Sequence, residues 1–276
     1  MVALTVEART DGPCPLAGVT VTGLLAGDQV ITVWRTADGE RRAVRGARAV
    51  PVLDSHYVED YEVPLGRTVL YELEVLAGAD YGAQGVEATV TVESECGYVQ
   101  DPLDPASAVP VWGSRRPGGQ AALRPSSFSK ISYGSSGSTH TVMGSSRPVA
   151  ISGMRRAAAG IPLEMVTRAE VENDRMRALV KQAPQLIIRP LPDWRAGLPG
   201  SATYLAETVE EEPRRSMGAH TTWTTAGDIV RGSSARVLIS LWTYQDVAEL
   251  FATYGQKQLA AGGGTYLEDQ KNPANS

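Results

Sequence analysis

Thr139–Gly160 reads THTVMGSSRPVAISGMRRAAAG and follows directly on YGSSGS. Whether this is a nucleophile loop or a run of strands decides the fold of the C-terminal half. Serines, glycines and one of the chain's three histidines lie close together here. A serine hydrolase sets its nucleophile on a strand-to-helix turn of the G-x-S-x-G kind, supported by a histidine, an acid and oxyanion donors. These serines sit in GSSGS and GSSR, with no helix directly behind either. They read as turn residues, and HTVMGSSRPVAISG reads as strand, turn, strand.

Downstream, GIPLEMVT is a further strand. TRAEVENDRMRALVKQAP predicts a helix over 168–183, with Thr167 and Glu170 as a capping box, an apolar stripe of Val171, Leu179, Val180 and Ala183, and Pro184 as its stop. QLIIRPLP and ATYLAETVEEEP read as strands on either side of the loop DWRAGLPGS. TTWTTAGDIVRG and ARVLISLW form a last pair, unless the latter opens a terminal helix through YQDVAELFATYGQKQLAAG. Residues 138–240 are therefore expected to form antiparallel strands interrupted by one helix, and 241–276 a C-terminal helix and polar tail. A barrel open on one side, with the helix packed over the opening, buries both the strand faces and the stripe.

Upstream, 101–137 is rich in Pro, Gly and Ser without an apolar period. It reads as an extended linker, with YGSSGSTH as a flexible turn. From Leu16 to about Val99 the pattern is short strands and turns, about seven strands in some ninety residues, the rhythm of an immunoglobulin-like sandwich. In QVITVWR, Val30, Thr32 and Trp34 mark one face and Ile31, Val33 and Arg35 the other. Asp38-Gly39 in ADGE suits a hairpin turn that needs positive φ. VPLGRTVLYELEVLA resembles the fibronectin type III pattern, a Pro-containing turn before a strand that begins with a tyrosine. The resemblance covers roughly residues 16–96, and it implies that Tyr71 is the corner tyrosine whose hydroxyl bonds back to the backbone.

The two parts differ in charge. Residues 1–100 carry 7 Arg/Lys and 15 Asp/Glu, net −8; residues 101–276 carry 19 and 16, net +3. This asymmetry predicts two modules, 1–100 and the barrel. Neither has the clustered basic, aromatic-interleaved surface of a nucleic-acid binder. No apolar run approaches the ~20 residues that cross a bilayer, and MVALTVEART lacks the basic and apolar regions of a signal peptide. A soluble globular protein without a membrane or secretion address is expected. Cys14 and Cys96 are the only cysteines, without metal-ligand spacing; a disulfide and two thiols both remain open.

His56, His140 and His220 have no second ligand at metal spacing and read as strand and loop positions. Asp54, Glu59, Asp60 and Glu62 lack the D-x-D-x-D-G pattern of a calcium loop and read as a solvated acidic loop. Glu210, Glu211 and Glu212 suit a loop or an interface, with Arg214 and Arg215 as local pairing partners. Trp112 in VPVWGS and Trp194 in LPDWRAG lie in Pro/Gly loops, where an aromatic is either an interface anchor or a cover for the core. The possible interface residues are thus Trp112, Trp194, Arg214 and Arg215. No catalytic, cofactor or metal site is expected.

THTVMGSSRPVAISGMRRAAAG, a strand, the helix TRAEVENDRMRALVKQAP, the strand QLIIRPLP and the loop DWRAGLPGSATYLAETV together resemble the minor tail proteins of long-tailed, siphovirus-type bacteriophages of actinobacteria. The resemblance spans roughly residues 138–240. It implies a mainly β chain: a fibronectin III-like sandwich followed by a split β-barrel of the kind that builds tail tubes and distal-tail rings. The implied role is structural, in the tail tip or baseplate of the virion, assembled in the host cytoplasm. The implied partners are sister copies, as a hexameric ring, and the tail tube, tape measure and tail hub, without membrane or specific nucleic-acid contact. Two other readings stand beside it: a module of the tail that binds host cell-surface glycan through the acidic sandwich, and a cell-wall hydrolase using Ser136 or Ser145.

Overall fold

A computed structural model describes residues 2–25, 27–83, 85–113, 121–141, 143, 146–155, 159–194, 199–213 and 220–232, together with 251, 253, 256 and 257. The structure is mainly β, built of several antiparallel sheets, with one full α-helix among these residues. It divides into two compact units. The first comprises 1–108, 189–201 and 233–276, and the second 109–188 and 202–232.

In the first unit the strands are Ala3–Arg9 (β1), Leu16–Thr22 (β2), Gln29–Ala37 (β3), Glu40–Ala43 (β4), Val50–Val52 (β5), His56–Asp60 (β6), Thr68–Ala77 (β7), Glu87–Thr91 (β8) and Gly97–Asp101 (β9). One sheet runs β1-β2-β6; the other runs β4-β3-β7-β8, with β5 also on β3. Ala17, Val19 and Val21 of the first meet Ile31, Val33, Val69, Leu73 and Val75 of the second in one core, which makes a β-sandwich. β1, which no expectation covered, pairs with β2 from Ala3↔Thr22 to Arg9↔Leu16. The β3–β4 turn is as read: Asp38 and Gly39 have φ of 52° and 78°, the left-handed pair that a two-residue hairpin needs.

The Ile31/Val33/Arg35 face of β3 is the one turned inward, so Arg35 is buried. Its Nη1 donates to both oxygens of Asp60 at 2.7 and 2.8 Å, Tyr71 donates to Asp60 Oδ2 at 2.8 Å, and the Glu62 N–H donates to Oδ1 at 3.0 Å. Burial works against the Arg35 charge, but Asp60, Tyr71 and Glu62 outweigh it and hold the guanidinium protonated. Two expectations are corrected here. Tyr71 bonds to a carboxylate rather than to the backbone. Of the 54–62 acids only Asp54 is an exposed turn residue, as expected; Asp60 is buried on Arg35, Glu62 pairs with Arg45, and Glu59 with Arg9. A strand facing three arginines gives its carboxylates partners that water would otherwise supply.

The loop read as part of the second module belongs to the first unit. Arg189 is fully buried and donates to the carbonyls of Val63 (2.9 Å) and Pro15 (2.6 Å). Trp194 lies on Gly97, so close that a Cβ there would stand 2.5 Å from the indole. Gly200 donates to Asp38 at 2.8 Å. Cys14 and Cys96 are buried thiols, and burial pushes the Cys14 thiol up.

The supposed linker 101–137 is also corrected. Asp104–Val111 (β10) neighbours β9 across a tight turn, and Ala122–Leu123 (β11) follows. Pro105 is buried and Ser107 and Pro110 are half-buried in β10, so residue types usual in turns occupy strand positions and hid the alternation. The second unit continues with Ser135–His140 (β12), Val149–Arg155 (β13), Ile161–Thr167 (β14), Glu170–Gln182 (α1), Gln185–Arg189 (β15), Ala202–Pro213 (β16) and Thr221–Val230 (β17). Within it the order is β15-β16-β17-β14-β11, every pair antiparallel.

In the opening stretch Thr139 and His140 end β12 and Val149–Arg155 form β13, yet neither is a strand of that sheet: β12 and β13 form a separate two-stranded ladder, and β12 takes in 135–138 of the segment expected to be a flexible turn. The helix buries Asn173, Met176 and Leu179, with Ala183 just beyond it, while Val171, expected on the stripe, is 65% exposed. No capping box forms. Ala169 is the N-cap, and Glu172 reaches back to accept from the Arg168 N–H at 3.3 Å. Thr167 is instead buried on β14, accepting from Trp223 Nε1 at 2.9 Å and bonding to Asn173 of the helix.

Candidate interaction surface

The second unit exposes two features that a self-contained sheet does not need. The first is the hairpin. Val149 pairs with His140 and Ile151 with Ser138, and their side chains are 52% and 62% exposed. Tyr133 and Met143 beside them are exposed as well. β-Branched side chains favour the strand, but nothing in the sheet β15-β16-β17-β14-β11 hydrogen-bonds to it as a ladder. Ser138 Oγ and His140 Nε2 are 2.9 Å apart, the neighbourly distance of i and i+2 on one strand face.

The second feature is the edge of β16. β15 covers it only from Ala202 to Leu205; from Ala206 to Pro213, among the described residues, its one strand partner is β17. A bulge between Ala206 and Thr208 turns this half, and Glu207, Glu210, Glu211 and Glu212 all lie exposed on it. Glu211 accepts from Arg177 of α1 at 2.8 Å, and Arg177 also pairs with Glu170 and Asp174. The other edge of the sheet is closed. The Arg124 N–H donates to Glu164 O at 2.9 Å, Phe128 N–H to Pro162 O at 2.8 Å, and Ser127 Oγ to Glu164 O at 2.8 Å, so 124–128 seals β14.

The expected interface residues fall elsewhere. Trp112 is buried beside β11, its backbone N–H donating to Ala121 O at 3.1 Å, and Trp194 is half-buried over Gly97. Arg214 and Arg215 lie outside the described residues, as do Ser145 and nearly all of 241–276. Sequence reasoning missed that, among the described residues, β12 and β13 form a ladder of their own and the outer half of β16 has β17 alone as strand partner, since a strand's alternation does not say whether a neighbour exists.

Among the described residues no group of three or more His, Cys, Asp or Glu is placed to hold a metal ion, and no helix is long and apolar enough to cross a membrane. Comparison with protein-family models, with curated proteins and with solved structures gave no match.

Proposed function

We propose that the chain is a structural component of the tail tip or baseplate of a long-tailed actinobacteriophage, a minor or distal tail protein that assembles into a ring of sister copies, six in number, at the end of the tail tube. The observation that carries this reading is a pair of surfaces on the second unit: a hairpin with exposed apolar side chains, and half a strand that, among the described residues, has a strand partner on one side alone. A protein that works alone shields such edges; one that works in an assembly completes them with another chain. The first unit supports the fibronectin III-like assignment through its three- and five-stranded antiparallel sheets packed on one core.

The glycan-binding reading has less behind it. A sugar platform needs a bare aromatic face, but Trp34 carries the Arg41 guanidinium 4.3 Å over its ring and donates from Nε1 to Glu74 at 2.6 Å. The test is light scattering and negative-stain microscopy of the full chain. Closed rings of one size are expected, and a monomer at every concentration overturns the proposal. A glycan array with the same protein decides the second reading.

A further inference from the structure

Residues 105–163 hold seven Arg/Lys and not one Asp or Glu across 59 positions, and the hairpin lies inside this stretch. The bare half of β16 holds four glutamates in six positions. The two surfaces match in length as well: β13 has seven residues, and Ala206–Pro213 offers a comparable run without a second strand partner among the described residues. Within one chain they do not pair, since β13 bonds β12 and β16 bonds β17 and β15.

We propose that β13 of one copy adds as a strand to the acidic outer edge of β16 in a second copy. The inference rests on the ring reading and names its contact. Main-chain bonds would supply the ladder and Val149 and Ile151 the apolar contact. Opposite charges set the choice of partner, because an acidic edge repels another acidic edge and accepts a cationic strand. The two surfaces differ, so the contact is head-to-tail and must close as a ring or run on as a filament. Pro213, which has no N–H, sits where an edge strand tolerates it.

The test uses the full chain in two forms. E210K/E212K reverses the edge and leaves Glu211 with Arg177; V149E/I151E reverses the hairpin at two exposed positions. Each alone is expected to raise the assembly midpoint in sedimentation by about tenfold or more, with circular dichroism and melting temperature unchanged. Mixed together they are expected to associate where neither does alone, because the intact hairpin of the edge variant meets the intact edge of the hairpin variant. Assembly of the native chain is expected to weaken as salt rises. Rings that form unchanged from both variants overturn this contact and leave the ring reading standing. A native chain that stays monomeric overturns both. If V149E/I151E loses the hairpin itself, the edge variant alone still decides.

Discussion

Arg35, Asp60 and Tyr71 join the two sheets of the sandwich through buried side chains. Each is buried, and the bonds between them run from β3 and β7 to β6, across the two sheets. Removing one partner strands the others without water: Asp60→Ala is expected to cost about 3–5 kcal/mol, and Tyr71→Phe about 1–2 kcal/mol. An Arg35→Met/Asp60→Leu double change should recover most of the Asp60→Ala loss. Urea unfolding of the set checks this; if the double variant falls as far as the single, the network is not acting as a unit. Gly97 carries a second prediction. A methyl there meets Trp194 at 2.5 Å and Arg189 O at 2.7 Å, so Gly97→Ala is expected to destabilise by about 1–3 kcal/mol. At this scale the inward face of Ile31, Val33 and Arg35 was legible from alternation. The partner of Arg35 was not, because Asp60 lies on another strand.

The helix illustrates what periodicity can and cannot settle. Its limits were readable within two residues, from Pro184 and the run of good helix formers. Its buried face was not, since Val171 stands roughly 200° around the helix from Asn173. The side that faces the sheet is chosen by Thr167 and Trp223, which give the Asn173 amide its place. Met176→Ala is therefore expected to cost about 2–5 kcal/mol, and Val171→Ala less than about 0.5 kcal/mol. Thermal melts of the two variants separate the faces; equal losses would restore the stripe built on Val171. β14, β16 and β17 were read almost to their ends, because their alternation is long and their turns rich in glycine, proline or polar residues.

At the scale of the molecule, buried phenols give a pH limit. Burial pushes Tyr57 and Tyr204 up to about 12, and it raises Tyr61, Tyr71 and Tyr98 as well. The unfolded chain releases these protons near 10. Below that pH both states hold them and nothing changes; above it the unfolded state is favoured, and stability falls progressively towards pH 12. Melting temperature is expected to be level between pH 8 and 9 and to drop from 10 upward, with a smaller drop in Tyr57→Phe. A melting temperature level to pH 12 would mean that these hydroxyls are not held neutral by the fold.

The sequence by itself determined the β class, the two-part charge, the helix limits and most strands of the second unit, since each depends on neighbours a few positions apart. Tertiary structure alone decided that Arg189 and Trp194 belong with the sandwich, that Trp112 is buried, that the acids of β6 meet arginines, and that β12 and β13 stand outside the sheet. Those outcomes turn on which distant backbone comes within hydrogen-bond reach, and no local pattern of residues encodes that distance.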